Sequence, residues 1–310
     1  MINLICPRTK QLLQLSDNGT EWHNENGTIN YPFKNNVVQF LAQQDAFYEG
    51  SYLNRIHFLP GSESWFHQWP LWLISNGYLW EVRKQFKPKS TLLELGCASG
   101  VDYFGSRYEM IGLDLSFTSL AGLHNYAYAL QADATRLPLA DKSVDGIISS
   151  YFWEHIPPAV KDEMLAEFKR VLKPGGKLVF LYDVETDNAF VKLLKKTNPQ
   201  KYQELFLDKD GHFGYETPAD NRERFMRHGF QIKKHFGMER TWFQSNSVYE
   251  KFSHLGGWKG RIGKIGKVLG RYRSLNLMNI FFVRLIDETV GRLFNEKKSR
   301  IIISVLQYKA

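Results

Sequence analysis

Between residues 91 and 183 the chain alternates short apolar runs with polar or helical stretches. Leu92–Leu95, Met110–Asp114, Leu130–Asp133, Ser143–Ser149 and Gly176–Tyr182 are too short for helices and too apolar for strands with one wet face. They predict strands buried on both sides, so the expected fold is a doubly wound α/β sheet with helices on each face. Helix signals fall between the strands. Pro157 and Pro158 open a helix that runs to about Leu172 and stops at Lys173-Pro-Gly-Gly, while Thr217 and Pro218 open another that Gly229 closes. Phe230–Phe236 and Arg300–Tyr308 read as a sixth and a seventh strand.

Outside this rhythm the pattern changes. Residues 1–42 hold four brief apolar runs divided by turns, the signature of a small β domain. Residues 43–90 are crowded with aromatics from Phe47 to Trp80. Trp69, Trp72, Leu73 and Trp80 share one face of an expected amphipathic helix that Pro88 ends, serving either as packing or as a lid. The remaining 91–310 form the main domain, interrupted by long excursions at about 184–216 and 238–298. In the second, Gly256–Gly270 places Ile262, Ile265, Val268 and Leu269 at near-helical spacing, although its glycines weaken a helix. Ile280–Val290 reads as an amphipathic helix packed on the rest.

Composition narrows the setting. With 43% hydrophobic residues among 310, the chain can bury a sizeable core. No run approaches the roughly 20 apolar residues that span a bilayer. Its start lacks the basic and apolar regions of a signal peptide, and its two cysteines, Cys6 and Cys97, suggest no structural disulfide, so a cytoplasmic protein is expected. The net charge of +8 is uneven: Lys259, Arg261, Lys264, Lys267, Arg271 and Arg273 follow one another with no acid between them. Such a block suits an anionic membrane surface, an anionic substrate or a solvated face, and would place the protein at the membrane periphery.

The candidate chemistry sits where the first apolar run ends. Glu94 precedes a turn in which Gly96 and Gly100 let the backbone approach a ligand, and the next run ends in Asp114. A nicotinamide dinucleotide is a poor fit, because G-x-G-x-x-G would fall on Gly96, Ala98 and Val101; no Gly-Lys-Ser/Thr of a P-loop is present.

Glu94, Gly96, Ala98 and Gly100, then Asp114, Asp133 and the run Phe168–Phe180, resemble in order the motifs of class I S-adenosylmethionine-dependent methyltransferases, particularly the quinone-biosynthesis group. The resemblance covers about 90–183 and implies a Rossmann-like, seven-stranded sheet whose last strand runs antiparallel, with a small β N-terminal domain and helical roof insertions at the carboxyl edge. It implies S-adenosylmethionine as cofactor, with Asp114 on the ribose and Asp133 and Ala134 at the adenine. Each acid is also readable as a turn cap, and Glu94 either supports the amino-acid end of the cofactor or braces the turn. Ala98 departs from the commoner glycine, and the span from Gly100 to Asp114 leaves little room for the first crossover helix.

Residues 1–42 resemble the zinc-ribbon-like domain that precedes some methyltransferases, ribosomal RNA guanine methyltransferases among them. Only Cys6 remains of the two cysteine pairs, and Thr9 stands where its partner is expected, so a metal-free domain is implied.

Tyr151, Glu154, His155, Asp183 and His212 fall where strand ends or roof loops face an acceptor. His155 is the first candidate for a base, with Glu154 and Tyr151 beside it, and a structural role for His155 stays open. The expected function is methyl transfer to a small-molecule, glycan or lipid-linked acceptor at oxygen, since the roof suggests an enclosed pocket. Two alternatives are an RNA base methyltransferase, for which nucleic acid would be the partner, and a catalytically silent cofactor-binding scaffold.

Overall fold

The computed structural model describes residues 2–52 and 78–309. The lid aromatics Trp65, Phe66, Trp69 and Trp72 lie outside the described residues. The strands are β1 (Leu13–Leu15), β2 (Glu21–Asn24), β3 (Asn30–Lys34), β4 (Val37–Gln39), β5 (Thr91–Leu95), β6 (Glu109–Asp114), β7 (Tyr128–Gln131), β8 (Val144–Ser150), β9 (Leu172–Asp183), β10 (Phe230–Met238) and β11 (Ile301–Tyr308). They form one sheet in the order β1-β2-β3-β4-β7-β6-β5-β8-β9-β11-β10.

From β7 to β10 this is the doubly wound pattern the apolar runs predict. β7, β6, β5, β8 and β9 pair in parallel, and β11 lies antiparallel between β9 and β10. The N-terminal strands lengthen the sheet beyond the expected seven, because β4 pairs in parallel with β7 through Val37↔Ala129 and Val38↔Leu130.

All five residues of β5 are buried, as a strand covered on both faces requires. Side chains alternate across the sheet. Leu93 and Leu95 join Ile111, Leu113 and Leu178 in the cluster under the helix α4 (Pro158–Val171), which contributes Met164, Leu165 and Phe168. Leu92 faces the other way, with Met110, Ile148 and Val179, toward α1 (Tyr78–Gln85) and α2 (Asp102–Arg107). The first crossover helix, α2, has only six residues, which the short span to Asp114 anticipates. α3 (Phe117–Leu120) follows β6. α4 passes straight into β9, so Lys173-Pro-Gly-Gly lies at the start of the strand, in a register shift opposite Val144 and Gly146, instead of forming a separate loop.

Both excursions leave the carboxyl edge of the sheet, and they pack on one another. The first carries α5 (Ala189–Thr197). α6 (Pro218–Arg227) then opens with a capping box between Thr217 and Asp220. The second excursion carries α7 (Asn246–Glu250), α8 (Gly257–Arg271) and α9 (Arg273–Glu288). Phe190, Leu194 and Phe206 of the first share an apolar cluster with Val248 and Phe252 of the second. A buried arginine holds the two points of departure: Arg300 donates to Asp183 Oδ2 at 3.0 Å and to Glu239 Oε2 at 2.8 Å. No described helix is long and apolar enough to cross a membrane.

The glycines of α8 do not prevent it from forming, because they are its packing face. Gly260, Gly263 and Gly266 are buried, and a Cβ on Gly263 would lie 2.1 Å from Ser253 N. Glycine to alanine inside a helix normally stabilises by roughly 0.5–1 kcal/mol. Backbone contact this close reverses the sign: Gly263→Ala should destabilise the protein by about 1–3 kcal/mol in urea unfolding. The exposed Ile265→Ala on the same helix should stay within about 0.5 kcal/mol.

Candidate functional site

β5 delivers the chain into a turn that only unusual backbone conformations can make. Gly96 has φ +59° and a Cβ there would lie 2.7 Å from the Phe152 ring; Gly100 has φ +76° and faces Leu123 at 2.3 Å. Ala98 holds φ +47° although it carries a Cβ, which explains why glycine is the commoner residue at this point of the motif. Asp114 at the tip of β6 fixes the turn. Its Oδ2 accepts from Ala98 N and its Oδ1 from Ser116 N, both at 2.9 Å. Burial pushes the Asp114 carboxyl above its usual range, and these N–H donors work against that rise.

Gly96, Ala98, Asp114, Asp133 and Ala134 line a cavity of about 840 Å³ at the carboxyl edge of the sheet. Asp133 also accepts from Thr135 N at 2.8 Å, so its turn-capping role is real whether or not it meets a ligand. Glu94 and Gly100 stand behind the wall and not in it. Glu94 accepts from the Tyr126 hydroxyl, which in turn accepts from Val101 N at 3.1 Å at the start of α2. Glu94 therefore braces the turn through Tyr126, a residue the sequence did not single out: it lies in a loop, where its hydroxyl makes the bridge and its ring packs beside Gly100. Burial raises the Glu94 carboxyl to about 8, against the pull of the Tyr126 bond.

The opposite wall holds the acceptor-side candidates. Tyr151, with φ +55° at the end of β8, and His155 line the cavity, with Phe152, Met164 and Phe213. Residues 41–48 add Asp45, Phe47 and Tyr48; the two aromatics belong to the 43–90 segment for which the sequence leaves packing and a lid open. Glu154 lies beneath the wall. Its Oε1 accepts from Asp183 N at 3.2 Å, its Oε2 has no hydrogen-bond partner among the described residues, and burial beside Asp183 lifts it well above the carboxylate range. Asp183 itself is bound to Arg300, a structural role.

His155 Nδ1 meets the Gly211 carbonyl at 2.9 Å, and the ring centroid of His212 lies 5.4 Å from that of His155. Burial lowers the pKa of both rings, that of His212 to about 2. One ligand atom from each of Glu154, His155 and His212 lies within 4.8 Å of the others, the one such grouping among the described residues with the donor set of a divalent metal site. Cys6 stands elsewhere: its Sγ contacts the Tyr31 hydroxyl at 3.1 Å and accepts from the backbone of Thr9.

With this geometry described, comparison with known proteins is informative. Residues 93–180 match the family described as a methyltransferase domain. The chain is 31% identical over 109 residues to an uncharacterised methyltransferase of Geobacillus kaustophilus, covering 35% of this chain and 50% of the relative. It is 34% identical over 117 residues to the 2-phytyl-1,4-naphtoquinone methyltransferase of Synechocystis, covering 33% and 48%. A demethylmenaquinone methyltransferase of Lactobacillus johnsonii is 30% identical over 135 residues, covering 38% and 54%. The chain thus spans about half the length of the curated relatives it matches. Residues 93–180 are a methyltransferase domain of the class I type, whose cofactor is S-adenosylmethionine. The residues fit that cofactor: Asp114 is a carboxylate at the cavity wall whose two oxygens each accept from a backbone N–H and keep further acceptor capacity, which suits a ribose diol.

Two outcomes follow from this site. Asp114→Ala should weaken S-adenosylhomocysteine binding about 10- to 150-fold, roughly 1.5–3 kcal/mol, in titration calorimetry, and Asp133→Ala should weaken it less. A folded wild-type protein that gives no heat would overturn the cofactor assignment. For Glu94 the folded pKa of about 8 lies above the unfolded value, so the folded chain keeps a proton that the unfolded chain loses. The stability this gives is complete below the ordinary glutamate value of 4.5 and disappears as pH rises to about 8, at no more than about 1.4 kcal/mol per pH unit. Glu94→Gln should flatten that slope in urea titrations at pH 5 to 8.5.

Proposed function

We propose that the protein transfers the methyl group of S-adenosylmethionine to an oxygen of a small-molecule, glycan or lipid-linked acceptor held in the 840 Å³ cavity. The carrying observation is the setting of His155. Its Nδ1 donates to the Gly211 carbonyl, which fixes the ring at the cavity wall, and burial lowers its pKa from the ordinary 6.5, so the ring is neutral at neutral pH. The names of two relatives as quinone methyltransferases support a small acceptor.

When bound, S-adenosylmethionine supplies a methyl carbon already activated by positive sulfur, so the protein's task is alignment, exclusion of water and proton removal. Asp114 and the Gly96–Gly100 turn hold the cofactor end, while the apolar wall of Phe152, Met164 and Phe213 keeps bulk water from the acceptor. His155 would take the hydroxyl proton of the acceptor as its oxygen receives the methyl group that the cofactor would supply. Glu154, buried and protonated, is a positioning residue for the segment that carries His155.

The reading is tested with full-length protein, labelled S-adenosylmethionine and a panel of quinols, nucleotide sugars, polyprenyl-linked sugars and total RNA. Label on an oxygen of one of the first three is expected; label on RNA bases alone would overturn it. With the acceptor in hand, His155→Asn should lower kcat by about 10²–10⁴ and leave S-adenosylhomocysteine affinity unchanged. Since burial holds His155 below its ordinary 6.5, wild-type kcat should persist at pH 6.5 and fall at lower pH as the ring gains a proton. Glu154→Gln should cost less than about tenfold, because the glutamate is already neutral.

A further inference from the structure

Eleven of the seventeen large apolar side chains exposed among the described residues fall between Trp242 and Leu293, in the second roof insertion. On α8 their exposure follows from how the helix packs. Gly260, Gly263 and Gly266 meet the 249–255 backbone, so the helix spends its small residues inward. At 100° per residue, Trp258, Ile265 and Val268 fall within about 80° of arc on the side opposite those glycines. Each is more than half exposed. After the single break at Tyr272, α9 repeats the arrangement with Met278, Phe282 and Leu285 on one outward stripe, while Val283 turns inward.

Charge accompanies the stripe. α8 carries Lys259, Arg261, Lys264, Lys267 and Arg271 and no acid. At the same spacing Lys264, Arg271 and Lys267 lie about 40°, 60° and 100° beyond Val268 on one side of the apolar arc, and Arg261 falls within it; Lys264, Lys267 and Arg271 are exposed and form no salt bridge with a described residue. Lys259 donates to Thr197 Oγ1 at 3.0 Å, and the Arg271 guanidinium lies 6.0 Å from the centre of the Tyr272 ring.

We propose that the outer face of α8 and α9 docks on an anionic lipid surface, with α8 lying in the plane of the membrane. An interfacial helix needs this combination: an apolar stripe that enters the acyl boundary and flanking cations that reach the headgroups. With 15 residues, α8 is too short to span a bilayer. A second copy of the chain fits less well, since α8 packed on itself would bring five cations against five with no acid on either helix. RNA suits the charge but not most of the stripe: Trp258 and Phe282 have rings on which a base could stack, whereas Ile265, Val268, Met278 and Leu285 do not. The proposal does not depend on which acceptor is methylated.

Flotation of the full chain with vesicles of phosphatidylcholine containing 30 mol% phosphatidylglycerol should recover the protein with the lipid, and pure phosphatidylcholine should recover at least tenfold less. Raising the salt to 0.5 M should weaken binding by a similar factor. Substituting Lys264, Lys267 and Arg271 together by Gln should reduce binding about 10- to 100-fold. Replacing Ile265, Val268 and Phe282 by Ser should also release the protein, with S-adenosylhomocysteine affinity and melting temperature retained in both variants. Absence of wild-type binding to the anionic vesicles would overturn the proposal. So would full binding by the serine variant, RNA binding that outcompetes the vesicles, or a concentration-dependent dimer that the serine variant abolishes.

Discussion

One carboxylate sets the geometry of the cofactor end. β5 and β6 end side by side, and each passes into a loop that has no regular partner. Asp114 joins those loops by accepting from Ala98 on one side and Ser116 on the other. The strained turn between Gly96 and Gly100 can persist because this grip, the Glu94–Tyr126–Val101 bridge and the close contacts of both glycines together over-determine it. Charge is economically placed here. Glu94 is held neutral by burial, so Asp114 is the ionisable group of the pair that presents itself at the cavity wall.

The acceptor side depends on a second buried charge. Arg300 stands just before β11, the strand that runs back between β9 and β10, and so can reach the ends of both its neighbours. Both roof insertions leave from those ends. Breaking a buried ion pair of this kind typically costs about 3–5 kcal/mol. Here the loss would also unfix the path that carries Gly211 and His212 to His155. Lys161 makes a parallel contribution from α4, donating to the Gly214 carbonyl at 2.7 Å and to Glu216 at 2.6 Å. The antiparallel strand is therefore part of how the active-site roof is anchored.

The sheet was legible in the sequence because strands buried on both faces need apolar centres, and β5 to β9 carry them in Leu92–Leu93, Met110–Leu113, Ala129–Leu130, Ile147–Ile148 and Leu178–Tyr182. Thr217, Pro218 and Gly229 were legible because capping is a local matter. What could not be read is what depends on long-range meeting. β2 is Glu-Trp-His-Asn, with no apolar run, and forms only because β1 and β3 pair with it. Tyr126 carries no pattern at all. The pairing of His212 with His155 required the roof, whose course no periodicity specifies.

α8 shows how a local rule can mislead in an informative way. Four interior glycines lower helix propensity, by roughly 1 kcal/mol each relative to alanine, and argue for a loop. The helix forms because three of them let its backbone approach the 249–255 segment more closely than any side chain would permit. Close approach replaces propensity as the source of stability, and the larger apolar residues are thereby excluded from the interior. A helix that packed through Ile265 and Val268 would have had a stronger interior contact and a polar exterior. Packing through glycine instead leaves those residues outside beside exposed lysines, so the same choice that stabilises the roof also determines what kind of surface it presents.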